Sequence, residues 1–170
     1  ATIAISAAAT FSMQAIYEGI ASFQGIPHRL EFVRQWNGAD WYNDSIATAP
    51  ERAMAAVESF EEPIVLLAGG RDKNLPWDKF AQLIQKRVDH LVLFGEAADL
   101  IHKAIGPIRP DQRPFTLDLC EGLQEAVRVA SERVEPGDVV LLSPGGTSYD
   151  EFIDFEERGR YFVQWVKELT

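Results

Sequence analysis

Hydrophobic positions fall into short continuous runs and helically spaced stripes that alternate along most of the chain. Three runs are almost wholly apolar, at 63–70, 90–95 and 139–143. Strands of this kind are typical of a sheet covered on both faces, because both of their sides meet other elements. The alternation therefore predicts an α/β fold of three layers, with a mostly parallel sheet and helices on both faces.

The stretches around these runs carry apolar residues on one helical face, as amphipathic helices do. From residue 50 onward, helices are predicted at 50–60, 75–88, 96–106, 121–134 and about 149–169. A short strand is predicted at 113–118. The clearest stripes are those of Trp77, Phe80, Ile84 and Val88, and of Leu123, Ala126, Val127, Ala130 and Val134.

Two breaks divide the first part of the chain. Residues 1–23 have a helical pattern that ends at the Gly- and Pro-containing stretch 24–28, where we expect a domain boundary. We therefore expect residues 1–27 to be the tail of one domain and 28–170 to be a second domain. Asn37-Gly38 separates two apolar-rich runs, which is the pattern of a tight β-hairpin.

Composition narrows the possible partners. The 170 residues carry a formal net charge of -10, which repels phosphate backbones, so we expect no nucleic acid partner. No apolar run reaches the roughly 18–20 residues of a membrane span, and no basic leader precedes the small apolar opening. The single Cys120 fits a reducing cytoplasm. The chain starts without Met and in the middle of a pattern, which suggests a fragment.

Charged and polar residues follow the first buried run, in "GGRDKN". Ligands of open α/β sheets bind beyond the carboxyl ends of the strands, so Lys73 is a candidate anion-binding residue. The two glycines would let the backbone approach a ligand closely. A polar loop with a solvated lysine is the alternative.

The stretch "LLSPGGTSYDEF" also follows a buried run and precedes a predicted helix. Ser148 and Glu151 match the spacing of a capping box, so Ser148 is expected at a helix N-cap. The same geometry exposes amide N–H groups and hydroxyls that bind a carboxylate or phosphate. The two roles are compatible.

Two further stretches gather polar residues near strand ends. In "WYNDSIAT", Asp44 and Thr48 suit either turn chemistry or a ribose or carboxylate contact. In "PHRLE", Arg29 is either an ion-pair partner of Glu31 or a phosphate ligand. The histidines and Cys120 lack metal-ligand spacing, and glutamate-rich spots such as "FEERG" are interpreted as solvated faces.

Together, "GIPHRLE", "NDSIAT", "LLAGGRDKN" and "LLSPGGTSYDEFIDFEERGRYF" resemble the Mur ligases in order and spacing, and among them the members that add D-glutamate. The resemblance covers residues from about 24 to 165. It implies a Rossmann-like three-layer sandwich that is the carboxyl-terminal domain of a monomeric bacterial cytoplasmic enzyme. Enzymes of this kind use ATP and Mg²⁺. Such an enzyme joins D-glutamate to UDP-N-acetylmuramoyl-L-alanine through an acyl phosphate during peptidoglycan precursor synthesis. Residues 1–27 would be the end of a central ATPase domain.

The resemblance also implies roles for particular residues. Lys73 and Ser148 would hold the D-glutamate carboxylates, with Thr48 beside them and Phe155 lining the site. The chemistry would need no catalytic residue from this domain, because an acyl phosphate is already activated and the domain's part is positioning.

On the nucleotide side, the resemblance places Arg29 near phosphate and Asp44 at the ribose. The chain departs from the family pattern at Ile46, where the family usually has Lys. It also contains no GxxxxGK[ST] loop, so we expect ATP and Mg²⁺ to be bound mainly elsewhere and the chain alone to be inactive. The alternatives are a non-catalytic α/β module that binds a small acidic metabolite or nucleotide, and an interaction domain with purely structural loops.

Overall fold

The computed structural model describes residues 3, 5–6, 9–23, 25–109 and 111–170. The strands are β1 Glu31–Trp36, β2 Ala39–Asn43, β3 Ile64–Gly69, β4 His90–Phe94, β5 Thr116–Cys120 and β6 Val139–Gly145. The helices are α1 Met13–Ala21, α2 Pro50–Val57, α3 Asp78–Arg87, α4 Ala98–Ile105, α5 Leu123–Ser131 and α6 Phe155–Glu168.

The six strands form one sheet in the order β1-β2-β6-β3-β4-β5. All neighbouring pairs are parallel except β1 and β2, which are antiparallel. Asn37 and Gly38 connect that pair with φ angles of 52° and 78°. Positive φ at both central residues is what a type I′ hairpin turn requires, so the hairpin prediction is confirmed.

Two apolar clusters cover the two faces of the sheet. Residues 64 and 66 of β3 face the helices α2, α3 and α4, whereas residues 65 and 67 face α5 and α6. Side chains alternate between faces along a strand, so a strand in the middle layer must be apolar at every position. The predicted α/β three-layer architecture is confirmed, and both predicted helical stripes are buried.

The strand order reverses between β3 and β6. From β3 the chain adds β4 and β5 on one side and then returns to place β6 on the other. The crevice beyond the carboxyl ends of the strands at such a point is where open α/β sheets bind ligands. The loops that follow β2, β3 and β6 therefore lie side by side at the carboxyl edge of the sheet, where this rule places a ligand.

The last helix begins at Phe155, not near residue 149 as predicted, and Ser148 is not its N-cap. Asp154 caps it, because its carboxylate accepts the N–H of Glu157 at 2.7 Å. Glu151, needed for the predicted capping box, instead accepts the N–H of Leu123 at 3.0 Å, at the first residue of α5. A contact 28 residues away in sequence therefore overrides the local pattern.

The amino-terminal segment is helical over α1, where Ser12 caps the helix by accepting the N–H of Ala15. Residues 1, 2, 4, 7 and 8 of the predicted helical stretch, and Gln24 of the predicted break, lie outside the described residues. Among the described helices, none combines the length and apolarity required to cross a bilayer.

Candidate functional site

The loops after β3 and β6 are joined by their backbones. The N–H of Arg71 donates to the carbonyl oxygen of Thr147 at 2.8 Å, and the N–H of Thr147 donates back at 2.9 Å. Gly70 precedes this bridge with φ +88°, and a Cβ there would collide with the Thr147 carbonyl oxygen. Glycine at 70 therefore lets the Lys73 loop and the Ser148 loop approach each other directly.

Asp72 fixes the backbone that follows Lys73. Its carboxylate accepts the N–H of Asn74 at 2.9 Å, the N–H of Leu75 at 3.4 Å and the indole N–H of Trp77 at 3.1 Å. The Lys73 side chain is exposed and forms no ion pair or hydrogen bond within the part of the chain that the structure describes. It is a cation on an ordered loop at the carboxyl edge, available to an anion.

Arg158 is a buried cation that the sequence-based interpretation of "FEERG" as a solvated face missed. Its side chain is fully buried, with Nε donating to Ser45 Oγ at 3.0 Å and Nη2 donating to the Ser45 carbonyl oxygen at 2.9 Å. Both terminal nitrogens also donate to the Gly146 carbonyl oxygen at 3.2 Å. One guanidinium therefore ties the loop after β2 to the loop after β6.

Burial lowers the pKa of Arg158 to about 10, while the carboxylates of Asp150 and Glu151 oppose that decrease. A guanidinium with this pKa remains protonated at neutral pH. All its hydrogen-bond acceptors are neutral groups of the two loops, so its charge is stabilised by oriented carbonyl dipoles and by these two nearby carboxylates.

A second network surrounds the same loop. The Asn43 amide nitrogen lies 3.0 Å from both Glu31 Oε2 and His28 Nδ1, and its oxygen accepts the N–H of Ser45 at 3.1 Å. A Cβ at Gly159 would collide with the His28 ring, so a glycine is required where α6 crosses this network. Glu31 accepts the N–H of His28 at 2.8 Å, and no Arg29–Glu31 ion pair forms among the residues that the structure describes, so that alternative is wrong.

Three predicted ligand residues lie around these loops. Ser148 is 2 % exposed, and Thr48 and Phe155 are half-buried. The loops that bear Thr48 and Ser148 touch, because the N–H of Gly145 donates to the carbonyl oxygen of Ala47 at 2.8 Å. The Phe155 ring packs edge-on against His28 with 6.2 Å between centroids.

Asp44 lies at the end of β2 and is 4 % exposed. Its carboxylate accepts the Ser143 hydroxyl at 2.8 Å and the N–H of Leu30 at 3.2 Å. Burial raises the pKa of this carboxyl, and the two hydrogen bonds and the charges of Arg29 and Arg52 oppose the rise.

A cavity of about 340 Å³ opens beside Asp44. Arg29, Asp44, Ile46 and Arg52 are among its lining residues. The two residues predicted for the nucleotide side are therefore together in one cavity. The D-glutamate candidates lie on the adjacent loops.

A wider groove of about 890 Å³ runs along α5 and α6, with Glu121, Glu125 and Trp165 among its lining residues. It contains none of the predicted ligand residues, so we place the candidate site at the carboxyl edge instead. In the part of the chain that the structure describes, no three His, Cys, Asp or Glu side chains are grouped so that they could hold a metal ion.

Curated relatives match this chain over almost its whole length. It is 42% identical over 164 residues to the UDP-N-acetylmuramoylalanine–D-glutamate ligase of Symbiobacterium thermophilum, covering 93% of this chain and 34% of that protein. It is 42% identical over 167 residues to the same-named ligase of Syntrophus aciditrophicus, covering 98% and 36%. The chain therefore spans about a third of the length of these relatives.

Solved structures share the fold at low identity. The MurF ligase of Thermotoga maritima in complex with ADP superposes with a TM-score of 0.60 at 16% identity, covering 92% of this chain and 36% of that one. A bifunctional folylpolyglutamate synthase/dihydrofolate synthase with Mn, AMPPNP and L-glutamate bound gives 0.63 at 15% identity, covering 91% and 35%.

The family model for the glutamate ligase domain of Mur ligases matches residues 28–146. That range includes β1 to β6 and the loops that carry Arg29, Asp44, Thr48 and Lys73. Because the match covers well over half of the chain, the chain belongs to the Mur ligase family.

Proposed function

We propose that this chain is the amino-acid-binding domain of an ATP-dependent ligase that adds D-glutamate to UDP-N-acetylmuramoyl-L-alanine. The observation that carries the proposal is the 42% identity, over nearly all of the chain, to relatives named for that reaction. Such an enzyme acts in peptidoglycan precursor synthesis in the bacterial cytoplasm. In this proposal residues 1–27 belong to the preceding ATPase domain and 28–170 form the domain that brings the amino acid.

The arrangement of the loops supports this role. D-Glutamate carries two carboxylates, and the site offers the ammonium of Lys73 and the hydroxyls of Ser148 and Thr48 on neighbouring loops. Ser148 is almost wholly buried, yet within the described residues its hydroxyl has no hydrogen-bond partner. A ligand carboxylate would supply that partner, and Phe155 would close the side of the pocket.

The reaction proceeds through an acyl phosphate of the nucleotide-sugar substrate, which the D-glutamate amine attacks. Because the acyl group is already activated, this domain contributes by holding the amine in line with the acyl carbon. Fixing two carboxylates at two anchors removes most rotational freedom of the amino acid. The direction of the amine is then set by the protein.

ATP supplies the phosphoryl group, and Mg²⁺ would accompany it. Arg29 and Asp44 fit the phosphate and ribose of the nucleotide, since a guanidinium suits phosphate and a carboxylate accepts from ribose hydroxyls. We propose that the remaining nucleotide contacts and the Mg²⁺ ligands come from other parts of a monomeric enzyme. The related folds solved with ADP, or with AMPPNP and Mn, support nucleotide use.

An activity assay of the intact protein that carries this chain tests the proposal. With ATP, Mg²⁺ and UDP-N-acetylmuramoyl-L-alanine, we expect ADP release that depends on D-glutamate and a product heavier by one glutamyl residue. L-Alanine, a diamino acid and a dipeptide are the comparison amino acids. Equal turnover with one of these, or none with D-glutamate, would contradict the proposed substrate.

A further inference from the structure

The cavity beside Asp44 holds two guanidinium groups around one buried carboxylate. Arg29 comes from the loop before β1, and Arg52 is the third residue of α2. Both lower the pKa of the Asp44 carboxyl, so both charges lie within electrostatic range of it. The cavity therefore presents two cations and one anion to a single ligand.

These two arginines differ from most others in the chain. Five others form ion pairs with Asp or Glu side chains: Arg71, Arg113, Arg128, Arg133 and Arg160. Neither Arg29 nor Arg52 does so with any described residue, although the chain has 26 acidic residues. The one hydrogen bond of the Arg52 side chain is a long contact, 3.5 Å from Nη1 to the Ile46 carbonyl oxygen. Most of its N–H donors are free for a ligand.

The neighbouring carboxylate narrows the ligand class. Asp44 uses one lone pair on each oxygen, for Ser143 and for Leu30, and so retains acceptor capacity toward a hydroxyl. A ligand that matches two guanidiniums and a carboxylate carries phosphate oxygens next to sugar hydroxyls. A cavity of about 340 Å³ accommodates the ribose-phosphate portion of a nucleotide.

We propose that Arg52 is a second phosphate-binding cation of this cavity and acts with Arg29 on the nucleotide of the ligase. This inference rests on the proposed function. Ile46 lines the same cavity at the position where the family resemblance predicts a lysine. Arg52 then supplies from α2 the positive charge that residue 46 lacks.

Two measurements on the intact protein test this role of Arg52. Calorimetry gives the dissociation constant for AMPPNP, and initial-rate kinetics give the Michaelis constant (KM) for ATP. Arg52→Ala should raise both the dissociation constant and the KM for ATP by about tenfold, the loss of one charge-assisted contact. The KM for D-glutamate should stay within about twofold of wild type, a difference of less than ~0.5 kcal/mol. Adding Ile46→Lys to Arg52→Ala should restore most of the affinity, because the new ammonium enters the same cavity.

Arg160→Ala is the matched control, since Arg160 is an exposed arginine on α6 outside the cavity. Unchanged AMPPNP affinity in Arg52→Ala, or an equal loss in Arg160→Ala, overturns the inference. A loss confined to D-glutamate affinity also overturns it. If the wild-type protein binds AMPPNP through Arg52 but does not ligate D-glutamate, the proposed function fails and the role of Arg52 stands. If the wild-type protein binds no AMPPNP, both fail.

Discussion

The Arg158 guanidinium donates two hydrogen bonds to Ser45, one to its hydroxyl at 3.0 Å and one to its carbonyl oxygen at 2.9 Å. These residues are 113 positions apart in sequence. With its further bonds to Gly146, Arg158 joins the loop after β2 to the loop after β6. Together with the hydrogen bond from the N–H of Gly145 to the carbonyl oxygen of Ala47, Arg158 therefore helps to hold the loops of Thr48 and Ser148 at a fixed spacing without needing to touch a ligand.

Replacing Arg158 should destabilise the fold. Arg158→Ala leaves two buried carbonyl groups without donors and opens a cavity, so we expect a loss of about 3 kcal/mol in the free energy of unfolding. Urea denaturation followed by tryptophan fluorescence measures it. Arg160→Ala, two residues on and exposed, should change stability by less than about 0.5 kcal/mol. Equal effects of the two substitutions would contradict the role of Arg158 in joining the two loops.

Gly159→Ala should also be costly, since the added Cβ would collide with the ring of His28 and meet the amide of Asn43. Relief of that collision requires a backbone shift, and we expect a loss of about 2 kcal/mol in the free energy of unfolding. Gly19→Ala is the control, because nothing lies within 4 Å of a Cβ there. Because alanine favours a helix more than glycine does, Gly19→Ala should change the free energy of unfolding by between zero and a gain of about 0.5 kcal/mol. A neutral Gly159→Ala would show that α6 does not pack as closely as described.

Under the proposed function, in which Lys73 binds a D-glutamate carboxylate, Lys73→Ala should weaken amino-acid binding by the intact protein. Loss of a charge-assisted contact to a carboxylate corresponds to about 1.5–3 kcal/mol, or roughly a ten- to hundredfold rise in the KM for D-glutamate. The KM for ATP should be unaffected. Initial-rate kinetics measure both constants, and Lys79→Ala on the exposed surface of α3 is the control. Wild-type D-glutamate kinetics in Lys73→Ala would exclude this residue from the site.

Cys120 should react slowly with thiol reagents. Burial, with smaller contributions from Glu125 and Asp118, raises the pKa of its thiol from 9.0 to about 11. At pH 8 the native protein should react about a hundredfold more slowly with a disulfide reagent than the urea-unfolded chain, from the thiolate fraction alone. Equal rates would show that the thiol is not shielded.

The same thiol gives a pH dependence of stability. Between pH 9 and 11 the native state retains a proton at Cys120 that the unfolded state has released, so this group makes stability fall as pH rises. Below pH 9 the thiol is protonated in both states and contributes no slope. Cys120→Ala should therefore flatten the decline between pH 9 and 11, as measured by urea denaturation at each pH. An unchanged slope would assign the decline to other groups.

Most of the secondary structure was predictable because it follows from local periodicity. The three buried runs identify β3, β4 and β6, the short strand predicted at 113–118 overlaps β5, and the helical stripes identify the helices after residue 48. The two apolar-rich runs around Asn37-Gly38 identify β1, β2 and the turn between them. The start of α6 was not predictable in the same way. Ser148 and Glu151 have capping-box spacing, but Glu151 bonds to Leu123, and Asp154 with Glu157 provides a complete alternative cap.

The candidate ligand residues were predictable from their position after buried strands and from the family resemblance. Their roles remain predictions. Arg158 was missed because a charged residue normally marks a solvated face, and its acceptors come from distant parts of the chain. One local signal was present: Arg158 is three residues after Phe155 and four before Phe162, so it falls on the apolar stripe of its helix. Arg52 gave no signal, since its relation to Asp44 exists only after folding.

The Asp72 carboxylate accepts three N–H groups just after Lys73, so the main chain at Lys73 is fixed while its side chain stays mobile. The peptide units that follow Lys73 hold its Cα in place, while four rotatable bonds carry the ammonium outward. A cation mounted this way can follow a carboxylate over several ångströms without rearranging the main chain. An acidic amino acid one methylene shorter or longer should therefore still find this counter-charge, and discrimination by length must come from the less mobile hydroxyls opposite.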